Sequence, residues 1–178
     1  MKLLLVLSFV ASVSTLSMKR VQPNTSSAPR KVVPFETNGM QFHLTLLGDE
    51  FGTHVTSTNC ADGLTYDNAP GCGGCYADAI IDVAPGSALK VLSYPWENQF
   101  QTVRYLKCAF PGGPHGTCRG SRSGWFTGRK KCWDRTSTHQ VQMYRGQTIT
   151  SPSDLVSMMM SGGMTTVNVD FPTRCECY

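Results

Sequence analysis

The sequence predicts an α+β domain, mostly antiparallel β-sheet, with one helix over about residues 152–161 packed on the sheet and disulfides holding the domain together. Several stretches alternate apolar and polar side chains with a period of two, as strands do. One segment carries the start and stop signals of a helix. Eight cysteines follow an N-terminus that has the form of a secretory signal. Together these observations favour a disulfide-stapled secreted domain.

The alternating segments place the strands. The first runs over 40–46, and turn residues after it lead to the β-branched stretch 53–58, which predicts a hairpin. A second runs over 77–83, and the Pro-Gly turn after it predicts that 88–94 returns beside it. Further strands are predicted over 100–110, 140–144 and 165–171.

The helix is signalled at both ends. Ser151 is a good N-cap, Pro152 suits the first helical position, and Asp154 favours the positive end of the helix. The glycines at 162 and 163 end it. The apolar face predicted to pack on the sheet consists of Leu155, Met158 and Met159.

The first 17 residues have the form of a signal peptide. A basic start at Met1 and Lys2 precedes an apolar run over 3–11, and small residues follow up to Ser17. The apolar run is too short to span a bilayer, and no later segment of the sequence is long and apolar enough. We therefore expect a secreted, extracellular protein, with delivery into a host as one variant, and paired cysteines.

A polar segment over 18–35 separates the signal from the domain, which we place at 36–178. It is rich in Ser, Pro, Asn and Thr, which predicts a disordered pro-segment or tail. Lys19 and Arg20 form a dibasic pair that suits secretory processing proteases, although two ordinary surface charges are the alternative. Asn24 begins an Asn-x-Ser/Thr sequence that predicts N-glycosylation.

We predict that the cysteines form four intramolecular disulfides, although eight cysteines allow 105 connectivities. Cys72 and Cys75 have the spacing of a redox or zinc motif, but they precede a strand rather than open a helix. No metal and no cofactor are therefore predicted. Cys175 and Cys177 point to the same side of a strand, which favours two different partners. The full set is Cys60, Cys72, Cys75, Cys108, Cys118, Cys132, Cys175 and Cys177.

The charges are segregated along the chain. Residues 36–97 hold eight acidic residues and one basic residue, whereas 104–145 hold nine basic residues and one acidic residue. Such segregation of charge affects which partners the protein binds rather than how it folds. From His115 to Arg135, where Cys118 and Cys132 are expected to pin the chain, the basic stretch is interleaved with aromatic residues, which predicts a constrained binding loop. The predicted binding residues are Arg119, Arg122, Trp125, Arg129, Lys130, Lys131 and Trp133.

Such a loop suits an unknown host protein or an anionic surface, such as a glycan or lipid head groups. Nucleic acid is possible but less favoured, and we expect a monomer. Two alternatives remain open. The aromatic side chains could pack inward with the bases as a solvated rim, or the loop could dock on the acidic half of the same molecule.

An enzyme is the less favoured reading, and no catalytic residue is predicted. A small secreted hydrolase such as a ribonuclease would need two histidines, or one histidine with a carboxylate, as acid and base. No motif links the histidines of this chain, and histidines on the polar face of a strand are usually just solvated. The four are His43, His54, His115 and His139.

The plan of the chain resembles small cysteine-rich secreted proteins of fungi, including plant-pathogen effectors and killer-toxin-like proteins. The features that carry this resemblance are the signal at 1–17, the dibasic Lys19–Arg20, the polar pro-like segment and the eight later cysteines. The resemblance implies a protein that acts by binding, as a virulence effector or toxin-like factor, on a host or competitor target. The alternative is the small secreted hydrolase.

Overall fold

The computed structural model describes residues 14–16, 18–23, 29–48, 60, 64–67, 72–109, 115–117 and 131–177. Strands dominate the described chain, with a short 3-10 turn at Pro95–Glu97 and one helix, α1, at Pro152–Met160. The strands are β1 (Ser14–Thr15), β2 (Met18–Arg20), β3 (Val32–Thr37), β4 (Met40–Gly48), β5 (Thr65–Asp67), β6 (Gly74–Val83), β7 (Leu89–Val91), β8 (Ser93–Tyr94), β9 (Gln99–Cys108), β10 (His115–Thr117), β11 (Lys131–Arg145) and β12 (Met164–Cys177).

The strands form two sheets. In the first, the long β11 pairs with β12 along its length and with β1, β7 and β10 in shorter stretches. In the second, the order is β2-β9-β6-β4-β3, with β5 also on β6 and β8 also on β9. Only the β1–β11 pair is parallel among the described pairings. The predicted α+β class, mostly antiparallel with a single helix and disulfides, is confirmed.

The main core lies between the two sheets. It takes side chains from β4, β6 and β9 of one sheet and from β7, β11 and β12 of the other. The predicted alternation of the first strand is confirmed, because Phe42, Leu44 and Leu46 are buried. The ring of Phe171 on β12 lies 5.3 Å from that of Phe35 and 6.3 Å from that of Phe42. Burying one such side chain stabilises the fold by about 1.5–3 kcal/mol.

A buried amide joins the two sheets through hydrogen bonds. The Nε2 of Gln101 on β9 donates to the carbonyl oxygens of Leu92 at 2.9 Å and Gln142 at 2.7 Å. Its Oε1 accepts from the backbone N–H of Gln142 at 2.8 Å. Gln101 is fully buried, so these bonds satisfy polar groups that water cannot reach.

The hairpin β3–β4 lies partly within the segment predicted to be disordered. Asn38 and Gly39 have φ values of 52° and 73°, and Thr37 pairs with Met40, so the turn has two central residues with positive φ. Asn-Gly is the favoured sequence for such a turn, because its twist matches that of the flanking strands. Within 18–35 the sequence predicted disorder, whereas the structure forms β2 and most of β3 there.

The stretch 88–94 does not return beside β6. Its first half, β7, pairs with β11, and its second half, β8, pairs with β9. The chain thus passes from one sheet to the other at the buried Leu92, whose N–H donates to the carbonyl oxygen of Gln142. The predicted pairing of this stretch with β6 was wrong. Val91 instead packs into the main core from the sheet that contains β11. The predicted hairpin strand 53–58 lies outside the described residues.

Helix α1 begins and ends where predicted. Asp154 N donates to Ser151 Oγ, and the Asp154 carboxylate accepts from Ser151 N, which completes a capping box. Met158 packs in a second apolar cluster with Leu92, Tyr144 and Ile149. Met159, predicted to share the buried face, is 60% exposed, so the helix packs through a narrower stripe than expected.

The N-terminal segment belongs to both sheets. β1 pairs with β11, whereas β2, three residues further along the chain, pairs antiparallel with β9. Between them Leu16 is 8% exposed and lies in the main core. Val21 is also buried, and its N–H donates to the carbonyl oxygen of Asn98 at 2.8 Å. The signal at 1–17, the cut after Arg20 and the glycosylation of Asn24 remain predictions.

Candidate binding surface at the disulfide-clamped end

Two disulfides connect the sheets at one end of the molecule. Cys72, just before β6, bonds to Cys132 on β11, and Cys108 at the end of β9 bonds to Cys175 on β12. The sulfurs of Cys72, Cys132 and Cys175 lie within 4.8 Å of one another, so the two bonds are neighbours in a buried cluster. We call these two disulfides the clamp.

The remaining cysteines agree with the predicted pairing wherever the structure describes them. Cys60 bonds to Cys75, and Cys177 is also disulfide-bonded. Because Cys175 is joined to Cys108, the two neighbouring cysteines near the C-terminus have different partners, as predicted. Cys118 lies outside the described residues.

The Cys-Gly-Gly-Cys sequence is not a redox pair, because Cys72 and Cys75 bond to different partners. Its two glycines instead allow neighbouring side chains to pack closely against the backbone. A Cβ atom at Gly73 would lie 2.5 Å from the hydroxyl oxygen of Tyr66, and one at Gly74 would lie 3.1 Å from Cδ2 of Leu106. The grouping of three cysteine sulfurs is explained by the clamp, since all three are in disulfides.

The clamp restricts long stretches of chain. The two bonds join residues separated by 60 and 67 positions. A disulfide that closes a loop of this size stabilises a fold by about 4 kcal/mol, because it restricts the unfolded chain. The strand ends that emerge from the clamp are thus held in fixed positions, including the start of β11, where the basic loop ends.

A cationic and aromatic surface lies beside the clamp. On β11, Lys131, Trp133 and Arg135 alternate with inward residues and are exposed, with Trp133 50% exposed. Across the pair, Trp133 faces Glu176 and Arg135 faces Arg174 on β12. We name Lys131, Trp133, Arg135, Arg174 and Glu176 the cationic strand end.

Ion pairs organise this surface. The carboxylate of Glu176 lies 3.6 Å from Arg135 Nε and 3.3 Å from Arg174 Nη1. With three basic groups and one acidic group, the cationic strand end keeps a net charge of +2. Exposed pairs of this kind contribute little to stability.

The structure places only part of the predicted binding set. Lys131 and Trp133 lie on the cationic strand end, whereas Arg119, Arg122, Trp125, Arg129 and Lys130 lie outside the described residues. The structure places Arg135, the last residue of the predicted basic stretch, on the same surface and adds Arg174. The sequence did not single out Arg174, because its place depends on the pairing of β11 with β12.

Neither His43 nor His139 makes a hydrogen bond to a carboxylate among the described residues. His43 on β4 faces Asp82 across the sheet, but no described hydrogen bond joins them, and the carboxylate accepts from Val83 N instead. His139 lies on β11, in the other sheet. His115 begins β10, and His54 lies outside the described residues.

His139 is in an unusual environment for a histidine. Its ring packs 6.1 Å from that of Phe171, and both ring nitrogens are buried without a hydrogen-bond partner among the described residues. Burial lowers the pKa of His139, while the charge of Asp170 acts in the opposite direction. The side chain is therefore held neutral within the β11–β12 sheet.

Comparison of the chain with protein-family models, with characterised proteins and with solved structures gives no match to any of them. Within the part of the chain that the structure describes, no helix has the length and apolar character to cross a membrane.

Proposed function

We propose that the protein is a secreted binding protein, a virulence effector or toxin-like factor, which engages an anionic host or competitor target. Its contact surface would be the cationic strand end together with the basic loop that leads into it. The observation that carries the proposal is the position of Lys131 and Trp133, which flank the clamped Cys132 and are both exposed.

The half-exposed Trp133 supports a binding role. A large aromatic side chain beside fixed positive charge is a typical interaction anchor, since it contributes apolar area and can stack on sugars or cations. The clamp lowers the ordering cost of binding, because the strand ends need not be fixed when the partner arrives. Clustered charge also attracts an anionic partner over about 8 Å at physiological salt.

Paired cysteines support secretion, because disulfides persist in oxidising compartments. The alternative of a small secreted hydrolase would need an acid–base pair, and none of the described contacts supplies one.

A triple variant tests the proposal. Arg129→Ala, Lys130→Ala and Lys131→Ala together remove three charges from the loop and its junction with β11. Its matched control removes three charges elsewhere: Lys31→Ala, Lys90→Ala and Arg145→Ala. Binding is measured to immobilised heparin and to phosphatidylcholine vesicles with and without phosphatidylserine, over a range of salt concentrations.

We expect the loop variant to bind more weakly and with a flatter salt dependence than the control, and Trp133→Ala to weaken binding without changing that slope. Preference for heparin or for the anionic vesicles would distinguish glycans from lipids. If the loop variant and its control lose the same amount of binding, the effect is due to net charge alone, and the proposal is overturned.

A further inference from the structure

A second candidate site lies away from the cationic strand end, where the N-terminal segment crosses the second sheet. A cavity of about 200 Å³ opens there between β2 and the outer parts of β4, β6 and β9. Apolar, basic, acidic and hydroxyl side chains all contribute to its wall. The lining residues are Lys19, Arg20, Val21, Gln22, Leu47, Asp78 and Thr102.

The hydroxyl of Thr102 points to a missing partner. Thr102 is 6% exposed, and its Oγ1 is buried without a hydrogen-bond partner among the described residues. A buried polar group left unpaired costs about 1–3 kcal/mol. Valine would fill the same space without that cost, so packing alone does not require the hydroxyl. A polar atom of a ligand in the cavity would satisfy it.

The charges of the wall favour an anion. Lys19 and Arg20 are exposed and make no ion pair or side-chain hydrogen bond to any described residue. Asp78 is offset by Arg104, whose Nε lies 3.1 Å from its Oδ1. The cavity therefore has an excess of positive charge, which attracts small anions.

The apolar part of the wall limits the kind of anion. Val21 is buried and Leu47 is half-buried, so both present carbon atoms rather than hydrogen-bonding groups to the cavity. A simple inorganic anion would leave this surface without a partner. A ligand with an apolar body would bury it and gain the corresponding hydrophobic free energy.

We propose that this cavity binds a small amphiphilic anion, namely a carboxylate with a short apolar chain. The carboxylate contacts Lys19 and Arg20 and accepts a hydrogen bond from the Thr102 hydroxyl, while the chain lies against Val21 and Leu47. The proposal gives the dibasic pair a binding role and is independent of the proposed function at the cationic strand end.

Three probes of equal chain length test it on protein that retains Lys19 and Arg20: hexanoate, hexanol and hexylamine. Binding is followed by isothermal titration calorimetry and by chemical-shift changes of the backbone amides of Thr102 and Leu47. We expect hexanoate to bind best and hexylamine worst. Failure of hexanoate to bind, or equal binding of all three probes, would overturn the proposal.

Variants separate the hydroxyl from the charges. Thr102→Val should weaken hexanoate binding about tenfold while leaving the unliganded protein at least as stable, because it removes an unpaired buried group. Thr166→Val, an exposed position on β12, is the matched control. The double variant Lys19→Gln, Arg20→Gln should abolish the preference for hexanoate over hexanol, with Arg145→Gln as its control. Equal hexanoate affinity in Thr102→Val and Thr166→Val would contradict the assignment.

Discussion

The backbone N–H of Cys108 donates a hydrogen bond of 2.6 Å to Oδ1 of Asp134. Asp134 is the single acidic residue between Arg104 and Arg145, a stretch with nine basic residues. It also lies opposite Cys175 in the β11–β12 pair. The lone carboxylate of the basic stretch therefore lies at the clamp, where it binds the end of β9.

Replacing Asp134 should destabilise the protein without removing a surface contact. Asp134→Ala leaves the part-buried N–H of Cys108 unpaired and should lower the free energy of unfolding by about 2 kcal/mol. Asp134→Asn retains an acceptor oxygen and should cost less. Urea unfolding measures both, with Glu97→Ala, an exposed acidic residue of the 3-10 turn, as the control. A loss no greater than that of Glu97→Ala would show that the bond contributes nothing.

The buried amide of Gln101 should be among the most sensitive polar groups. Gln101→Leu keeps the side-chain volume but leaves the carbonyl of Leu92 and both backbone groups of Gln142 without this partner. We expect a loss of about 3 kcal/mol in the free energy of unfolding, because the Leu92 carbonyl and the Gln142 N–H lose this partner while the Gln142 carbonyl keeps only the bond from Leu92 N. Gln99→Leu provides a comparison on the same strand, β9. A cost below that of Gln99→Leu would contradict the role of Gln101 in joining the sheets.

His139 should make stability fall in mild acid. Its pKa is lowered in the folded protein by burial, so the unfolded chain binds the proton more readily. The stability due to neutral His139 is therefore complete above the ordinary value of 6.5 and is lost as pH falls towards the folded pKa. His139→Leu should flatten this slope, measured by urea unfolding between about pH 7.5 and about pH 5. An unchanged slope in the variant would place the acid sensitivity elsewhere.

Asp154 should act at lower pH and in the same direction. Its carboxylate accepts from the backbone N–H of Thr150 at 2.9 Å, and bonds from Thr150 Oγ1 and Ser151 N add to this, which lowers its pKa. The capping contribution is thus present above the ordinary value of 3.8 and lost as pH falls through the folded pKa. Asp154→Asn should weaken helix α1 at neutral pH and remove this acid dependence, followed by circular dichroism. Ser157→Ala, on the exposed side of the helix, should retain it.

Local patterns explain what the sequence predicted correctly. The alternation around Leu44 and the capping box of Ser151 and Asp154 depend on neighbours in the chain, so both were readable. The Asn38–Gly39 turn was equally local and was overlooked, because the surrounding composition favoured disorder. The crossing at Leu92 depends on two strands that meet only in the folded protein, and no local pattern reports it.

The same distinction between local patterns and contacts formed only on folding applies to the candidate sites. Lys131 and Trp133 were singled out because charged and aromatic residues cluster in the sequence. The proposed cavity was not predicted from the sequence, because Thr102 and Lys19 come together only through the pairing of β2 with β9. Connectivity of the disulfides was open for the same reason.

Because the N-terminal segment joins both sheets, a cut at either predicted site would change the fold. A signal peptidase cut after Ser17 would remove β1 and the core side chain of Leu16, and a dibasic cut after Arg20 would remove β2 as well. A cut before Ser14 would keep all of these. The position of any cut would therefore determine how many strands remain, and forms that differ by a few N-terminal residues would differ in stability.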